Sequence, residues 1–249
     1  MNPCTIFMSD MHLCADTPDL NALFFRKLDE WAGKIDALYL LGDIFDVWVG
    51  DDDDAPLFLE IQQKMKAFSQ QTPLFVMRGN RDFLIGKKFA ANTGATILND
   101  DPCLITCYNY PFILSHGDIF CTDDVEYQQF RRKSRSWLWQ FLARMKSLQK
   151  RRELAAKMRD VSQNKKSQMA QYEVSDITED GLNNAQNKFS GSLKNSPADI
   201  IHGHTHRPAM HTHTFNNQEY RRFVLPDWYE DKGGCLIVWQ DGEIDHATL

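Results

Sequence analysis

Apolar residues along this chain come in short runs, most of them followed within a few residues by Gly, Asp or Asn. Between them lie stretches in which apolar positions recur every three or four residues. The runs at 5–8, 37–41, 74–77 and 111–114 read as buried strands, and the periodic stretches at 19–33 and 56–70 as amphipathic helices. This alternation predicts an α/β architecture, with chemistry at the strand-to-loop junctions. Strands return at 200–201, in a hairpin between 210 and 225, and at 235–239.

Between 123 and 192 the pattern changes to helical, polar and cation-rich sequence. It predicts a helical insertion over 123–192 in a core built from 1–122 and 193–249. From 131 to 166 thirteen residues are basic and only Glu153 and Asp160 oppose them, with Trp137, Leu138, Trp139, Phe141 and Leu142 interleaved. A charge run is ordinarily a solvated face. Inside a chain of 28 basic and 34 acidic residues, net charge −6, so strong an excess of one sign favours an anionic ligand or a membrane surface. The same net charge argues against a general nucleic-acid binder.

Six scattered cysteines without a CxxC pair read as reduced thiols of a cytosolic protein. The opening MNPCTIFMSDMHL lacks the basic and apolar regions of a signal peptide, and no 18 apolar residues run together to span a bilayer.

Five polar segments follow the apolar runs: Asp10-Met11-His12, Gly42-Asp43, Gly79-Asn80-Arg81-Asp82, Ser115-His116-Gly117-Asp118 and Gly203-His204-Thr205-His206. Each is weak alone, since a lone Gly-Asp is merely a turn. Together they place carboxylates, an amide and imidazoles where strands end, as a site for two divalent ions sharing one carboxylate requires. The donors are oxygen and nitrogen without thiolate, which suits Mn, Fe or Mg. Asp51 to Asp54 reads as a solvated loop whose Asp54 caps the following helix. His211 and His213 read as exposed hairpin residues, a third metal being the alternative. Trp228 and Trp239 read as core.

In that order, D-x-H, GD, GN-x-D, an isolated His before Gly, and GH-x-H resemble the signature of the calcineurin-like metallophosphoesterases. The resemblance implies two mixed sheets flanked by helices, a four-layer α/β/β/α sandwich. Carried over by motif, Asp10, His12, Asp43 and His206 would hold one metal. Asp43, Asn80, His116 and His204 would hold the other, with Asp43 bridging; Asp82 and Asp118 would orient imidazoles or backbone. Many phosphomonoesterases of this superfamily have histidine after the Asn, where it can protonate an alkoxide. Arg81 stands there instead; it is a poor acid but a good fork for phosphate, which favours pyrophosphate cleavage. A surface arginine paired with Asp82 is the plainer alternative.

The longer stretches LLGDIFDVWVGDDD, MRGNRDFLIG, SHGDIFCTDDVEYQQFRR, IIHGHTHRP and RRFVLPDWYE resemble the UDP-2,3-diacylglucosamine pyrophosphohydrolase family of Gram-negative bacteria. That resemblance implies water attack on the α-phosphate, giving UMP and 2,3-diacylglucosamine 1-phosphate in lipid A synthesis. It also implies manganese dependence and peripheral attachment to the cytoplasmic face of the inner membrane. The insertion would be a lid over the acyl chains. Asp43, Asn80, Arg81 and His116 would be catalytic, and Asn80, Arg81, Asp124, Ser162, Lys165 or Lys166, and His204 would contact substrate. Lys166 stands where Asn or Thr is expected and Met169 where lysine is usual. A monomer that does not bind nucleic acid is expected. The competing readings are another nucleotide pyrophosphatase or nuclease of the same superfamily, and a scaffold that has lost its ions.

Overall fold

The computed structural model of the protein describes residues 2–157 and 176–249. Strands β1 (Cys4–Met8), β2 (Ala37–Leu41), β3 (Leu74–Met77) and β4 (Thr96–Leu98) run parallel, with helices α1 (Pro18–Trp31), α2 (Pro56–Ser69) and α3 (Lys87–Thr93) between them. Next come β5 (Cys103–Cys107) and β6 (Tyr110–Ser115), then, among the described residues, the helices α4 (Val125–Ser134), α5 (Trp137–Arg144), α6 (described over 148–157) and α7 (Glu179–Phe189). The chain closes with β7 (Asp199–His202), β8 (Ala209–Phe215), β9 (Gln218–Val224), β10 (Gly234–Trp239) and β11 (Ile244–Thr248). One sheet has the order β11-β10-β1-β2-β3-β4 and the other β5-β6-β7-β9-β8.

A period of two divides the apolar side chains between layers. Ile6, Met8, Leu38, Leu40, Leu74 and Val76 face α1, α2 and α3, packing on Leu23, Phe24, Met65 and Phe89. Their alternates Phe7, Leu41 and Met77 meet Phe112, Leu114 and Ile201 of the second sheet. On that sheet's far side Ile113 and Ile200 pack on Leu182 and Ala185 of α7. The result is helix, sheet, sheet, helix. Within the 123–192 segment, α7 therefore covers a sheet, because its apolar positions complete the face that β6 and β7 leave open.

The expected helices and hairpin form within two residues of their expected bounds. Asn216 and Asn217 make the two-residue hairpin turn with φ of 50° and 62°, a conformation asparagine tolerates. The short strands β4, β5 and β11 and the helix α3 lie outside the expected elements. Asp54 differs from expectation. Helix α2 opens on Pro56 with no side-chain cap, and Asp54 instead accepts from Arg152 at 3.0 Å. The cap lies one element further on: Asp51 accepts from the N–H groups of Gly86, Lys88 and Phe89, all at 3.0 Å, which places a carboxylate on the positive end of α3.

Much of the insertion's charge is likewise held by the core. Arg151 is buried, forks onto Asp52 and donates to the Val49 carbonyl, and Arg152 pairs with Asp53. Arg135 donates to the carbonyls of Arg78 and Gly79, and Arg131 pairs with Asp101 (2.7 Å) and Asp118 (3.0 Å). Arg132, Lys133, Lys146, Lys150 and Lys157 remain exposed. Alongside them Trp137, Leu138, Phe141, Leu142 and Met145 of α5 and its end stand out of the surface, Trp137 with 78% of its area exposed.

Candidate active site

Five of the seven candidate ligands sit in strained backbone. Asp10, His12, Asp43, His204 and His206 all have φ between 49° and 70°, the left-handed region that non-glycine residues seldom adopt. Each lies just beyond a strand, where the chain must turn sharply for a side chain to point back across the sheet end. Such strain is retained where the surroundings over-determine it, and it gathers at functional sites. The glycines of the motifs allow the close approach. A Cβ on Gly79 would lie 2.1 Å from Asp43 Oδ1, and one on Gly203 would lie 2.2 Å from Asp10 Oδ2.

The seven side chains converge. Asp10, His12 and His206 offer ligand atoms within 4.8 Å of one another, and so do Asp10, Asp43 and His116. Asn80 joins them through its Oδ1, which accepts from His116 Nε2 at 2.8 Å and His204 Nδ1 at 3.1 Å. In this geometry Asp10 belongs to both carboxylate clusters.

The surrounding groups fix the rings. His116 Nδ1 donates to the Leu41 carbonyl at 2.9 Å, which leaves Nε2 turned to the site. His206 Nδ1 faces Asp227 Oδ2 and its Nε2 faces Asp10 Oδ1, each at 3.2 Å. A carboxylate behind a ligating imidazole is the arrangement that orients a ring and raises its basicity. Asp227 was not among the expected residues. Its signal was its position after β9, the third parallel strand of its sheet, within LPDW. Asp82 accepts from Gly79 N (2.6 Å) and Ile44 N (2.8 Å), tying the GN and GD loops together as an orienting residue should. Asp118 holds Arg131 and the Tyr127 hydroxyl.

Electrostatics mark the site as one built for cations. Burial raises the Asp43 carboxyl to about 7, with nearby Asp82 and Asp10 adding to it against the pull of His116. Burial also works against protonated His116 and His206, yet the carboxylates facing each ring outweigh it and raise both to about 9. His204 is lowered to about 4 by burial and the neighbouring His116, and His12 to about 3 chiefly by burial. Both ring nitrogens of His12 are buried and have no hydrogen-bond partner among the described residues. An imidazole kept neutral, buried and unpaired beside a carboxylate cluster fits a ligand to a metal ion. The donor set supports divalent cations.

The other expected residues divide. Arg81 reaches the site: its backbone N–H donates to Asp43 Oδ1 at 2.9 Å. Its side chain pairs with Asp46, not Asp82, Nη1 lying 2.7 Å from Asp46 Oδ1. Asp124 caps α4 by accepting from Tyr127 N at 2.9 Å. Ser162, Lys165, Lys166 and Met169 lie outside the described residues. His213 lies between Glu179 and Arg222, so a cation at the His211–His213 pair would stand against a guanidinium. Trp228 is buried in the core and Trp239 packs against it.

Strands ending on one rim, two carboxylate-centred clusters of Asp and His that could hold a metal ion, and an arginine beside them are the parts of a metal-dependent phosphoesterase site. The sequence profile of the calcineurin-like phosphoesterases matches residues 5–239. A protein of Chromobacterium violaceum named UDP-2,3-diacylglucosamine hydrolase is 46% identical over 243 residues, covering 98% of each chain. Proteins of the same name from Aeromonas hydrophila (42% identical, 96% of this chain and 95% of the other) and Coxiella burnetii (40%, 97% and 96%) are similar over nearly their whole lengths. The chain belongs to the calcineurin-like phosphoesterase family and, within it, to the group of the UDP-2,3-diacylglucosamine hydrolases.

Proposed function

We propose that this protein hydrolyses the pyrophosphate of UDP-2,3-diacylglucosamine to UMP and 2,3-diacylglucosamine 1-phosphate, using two divalent ions, manganese foremost. The observation that carries the reading is the convergence of Asp10, His12, Asp43, Asn80, His116, His204 and His206 beside Arg81, in a chain 46% identical over its length to a hydrolase of that name. Asp10, His12, Asp43 and His206 would hold one ion and Asp43, Asn80, His116 and His204 the other. Ions held there supply a water acidic enough to attack at neutral pH and neutralise charge on the phosphate oxygens.

The chain's own groups do the rest. Arg81 presents a planar fork to phosphate oxygens, while Asp46 holds the guanidinium in place. A leaving group that is itself a phosphate needs no strong acid, so an arginine in this position is sufficient. Asp124, Ser162, Lys165 and Lys166 are proposed substrate contacts.

The insertion, taken as 123–192, is proposed as a lid for the acyl chains and as the contact with the cytoplasmic face of the inner membrane, in a monomer. The exposed apolar stripe of α5 beside exposed lysines supports this, because it joins buried-chain affinity to attraction for anionic headgroups. No helix among the described residues is long and apolar enough to cross a membrane.

Turnover in ¹⁸O-water tests the reading. Attack on the α-phosphorus puts the label in UMP. Label in the sugar phosphate, or faster hydrolysis of simple nucleotides or single-stranded DNA than of the diacylated substrate, contradicts it.

A further inference from the structure

Outside the ligand set, four side chains form a continuous hydrogen-bonded line from α7 to the loop that presents His204 and His206. Arg222, buried on β9, donates from Nε to His213 Nε2 at 3.0 Å and from Nη1 to His202 Nε2 at 3.0 Å. A guanidinium carries donors only, so both ring nitrogens are acceptors. The proton of each neutral ring therefore sits on Nδ1, and each Nδ1 faces an oxygen. His213 Nδ1 is 3.0 Å from Glu179 Oε1, and His202 Nδ1 is 2.8 Å from the Gly203 carbonyl. One cation sets two tautomers.

Gly203 is the residue on which the ligand loop turns. Its N–H donates to the His116 carbonyl at 2.9 Å, and its own carbonyl also accepts from Thr205 N at 2.9 Å. The next residue, His204, has φ of 70° and gives its N–H to Asp10 Oδ2 at 2.8 Å. The Gly203 carbonyl thus sets the peptide plane from which the two ligands leave.

We propose that Arg222 is a positioning residue for the metal site. By holding His202 in its Nδ1–H form it fixes the Gly203 carbonyl, and with it the left-handed loop that carries His204 and His206. The opposite tautomer would aim an N–H at the guanidinium and a lone pair at a carbonyl oxygen, two repulsions inside a fully buried pocket. His213 and Glu179 brace Arg222 from the far side. The inference rests on the reading of His204 and His206 as metal ligands.

Long-range ¹H–¹⁵N NMR of the metal-free protein tests the tautomer directly. A protonated Nδ1 on His202 is expected; a protonated Nε2 overturns the proposal and leaves the ligand reading standing. Wild-type protein with the expected tautomer that takes up no manganese overturns the ligand reading and the proposal together. Arg222→Leu, checked for folding by thermal melt without metal, leaves only the Gly203 carbonyl to hold the ring and is expected to show both tautomers in exchange and to bind manganese about tenfold to hundredfold more weakly. Arg222→Lys keeps a donor facing His202 and is expected to recover the tautomer and most of the affinity. Should Arg222→Leu not fold, Arg222→Gln, whose amide also donates, takes its place beside Arg222→Lys, and both are then expected to keep the tautomer and bind manganese. A folded Arg222→Leu with wild-type manganese affinity, or a donor-keeping variant that restores the tautomer without restoring affinity, overturns the assignment.

Discussion

Replacing Asp43 by Asn should make the metal-free protein more stable while it removes metal binding. The side chain is almost wholly buried, and burial is the largest cause of its rise from 3.8 to about 7. That displacement corresponds to about 4 kcal/mol against the ionised form in the folded protein above pH 7. Asparagine keeps the shape and the acceptor for Arg81 N, and it tolerates the φ of 51°. The rise to about 7 already includes the attraction to His116, whose Nε2 lies 3.7 Å away, and to Arg81 Nε at 3.6 Å; what offsets part of the gain is the amide N–H group that replaces Oδ2 and faces the Arg81 donor. The net gain should be about 1–3 kcal/mol, a rise of roughly 2–10 °C in melting temperature for a chain of this size. Calorimetry at pH 8 in chelator is the assay. Added manganese should then raise the melting temperature of the wild type and leave that of the variant unchanged, and turnover should vanish. A metal-free variant that melts at or below the wild type would refute burial as the dominant cause. A folded variant with full turnover would refute the role of Asp43 as a ligand.

Other expectations come from the same geometry. Gly79→Ala should weaken manganese binding about hundredfold, because its Cβ falls on Asp43 Oδ1; calorimetric titration showing unchanged affinity would argue against so tight a junction. His116, His206 and Asp43 bind protons more tightly folded than unfolded. The stability that His116 and His206 contribute is complete below about pH 6.5 and lost as pH rises through 9, and that of Asp43 is lost through about 7. Metal-free melting temperatures should therefore fall between pH 6.5 and 9, while manganese affinity rises about tenfold per pH unit for each proton displaced; a flat profile for both would contradict the assigned protonation. Arg151→Ala should loosen the docking of α6 by about 1–2 kcal/mol, since exposed Asp52 is re-solvated and the Val49 carbonyl is left open. Faster amide exchange confined to α5 and α6, at unchanged manganese affinity, is the expected reading, and unaltered exchange would count against the latch.

The parts of this molecule legible in its sequence are those governed by local pattern. Phe7 between Ile6 and Met8, or Leu41 beyond Leu38 and Leu40, announces a strand buried on both faces, and the motif residues follow such strands directly. β4 and β5 escaped notice because their side chains are mostly half-buried, so no alternation survives in TIL or CLITC. Long-range partners were equally hidden. Asp51 caps a helix that begins 36 residues later, Arg151 and Arg152 neutralise acids about 100 residues away, and Asp227 meets His206 only because β7 and β9 are neighbours. Of the charge excess of 131–166, which pointed to an anionic ligand or a membrane, Arg131, Arg151 and Arg152 are ion-paired to the core and Arg135 is bonded to its carbonyls, while Arg132, Lys133, Lys146, Lys150 and Lys157 stay exposed. Composition counts charges; only the fold says which ones are neutralised.

The central claim is that seven side chains hold a pair of divalent ions close enough to share a ligand. Electron paramagnetic resonance of the chain loaded with manganese tests it most directly. Two ions per chain with an exchange-coupled spectrum are predicted. A six-line spectrum of isolated manganese at saturation, with one ion bound per chain, would contradict the account.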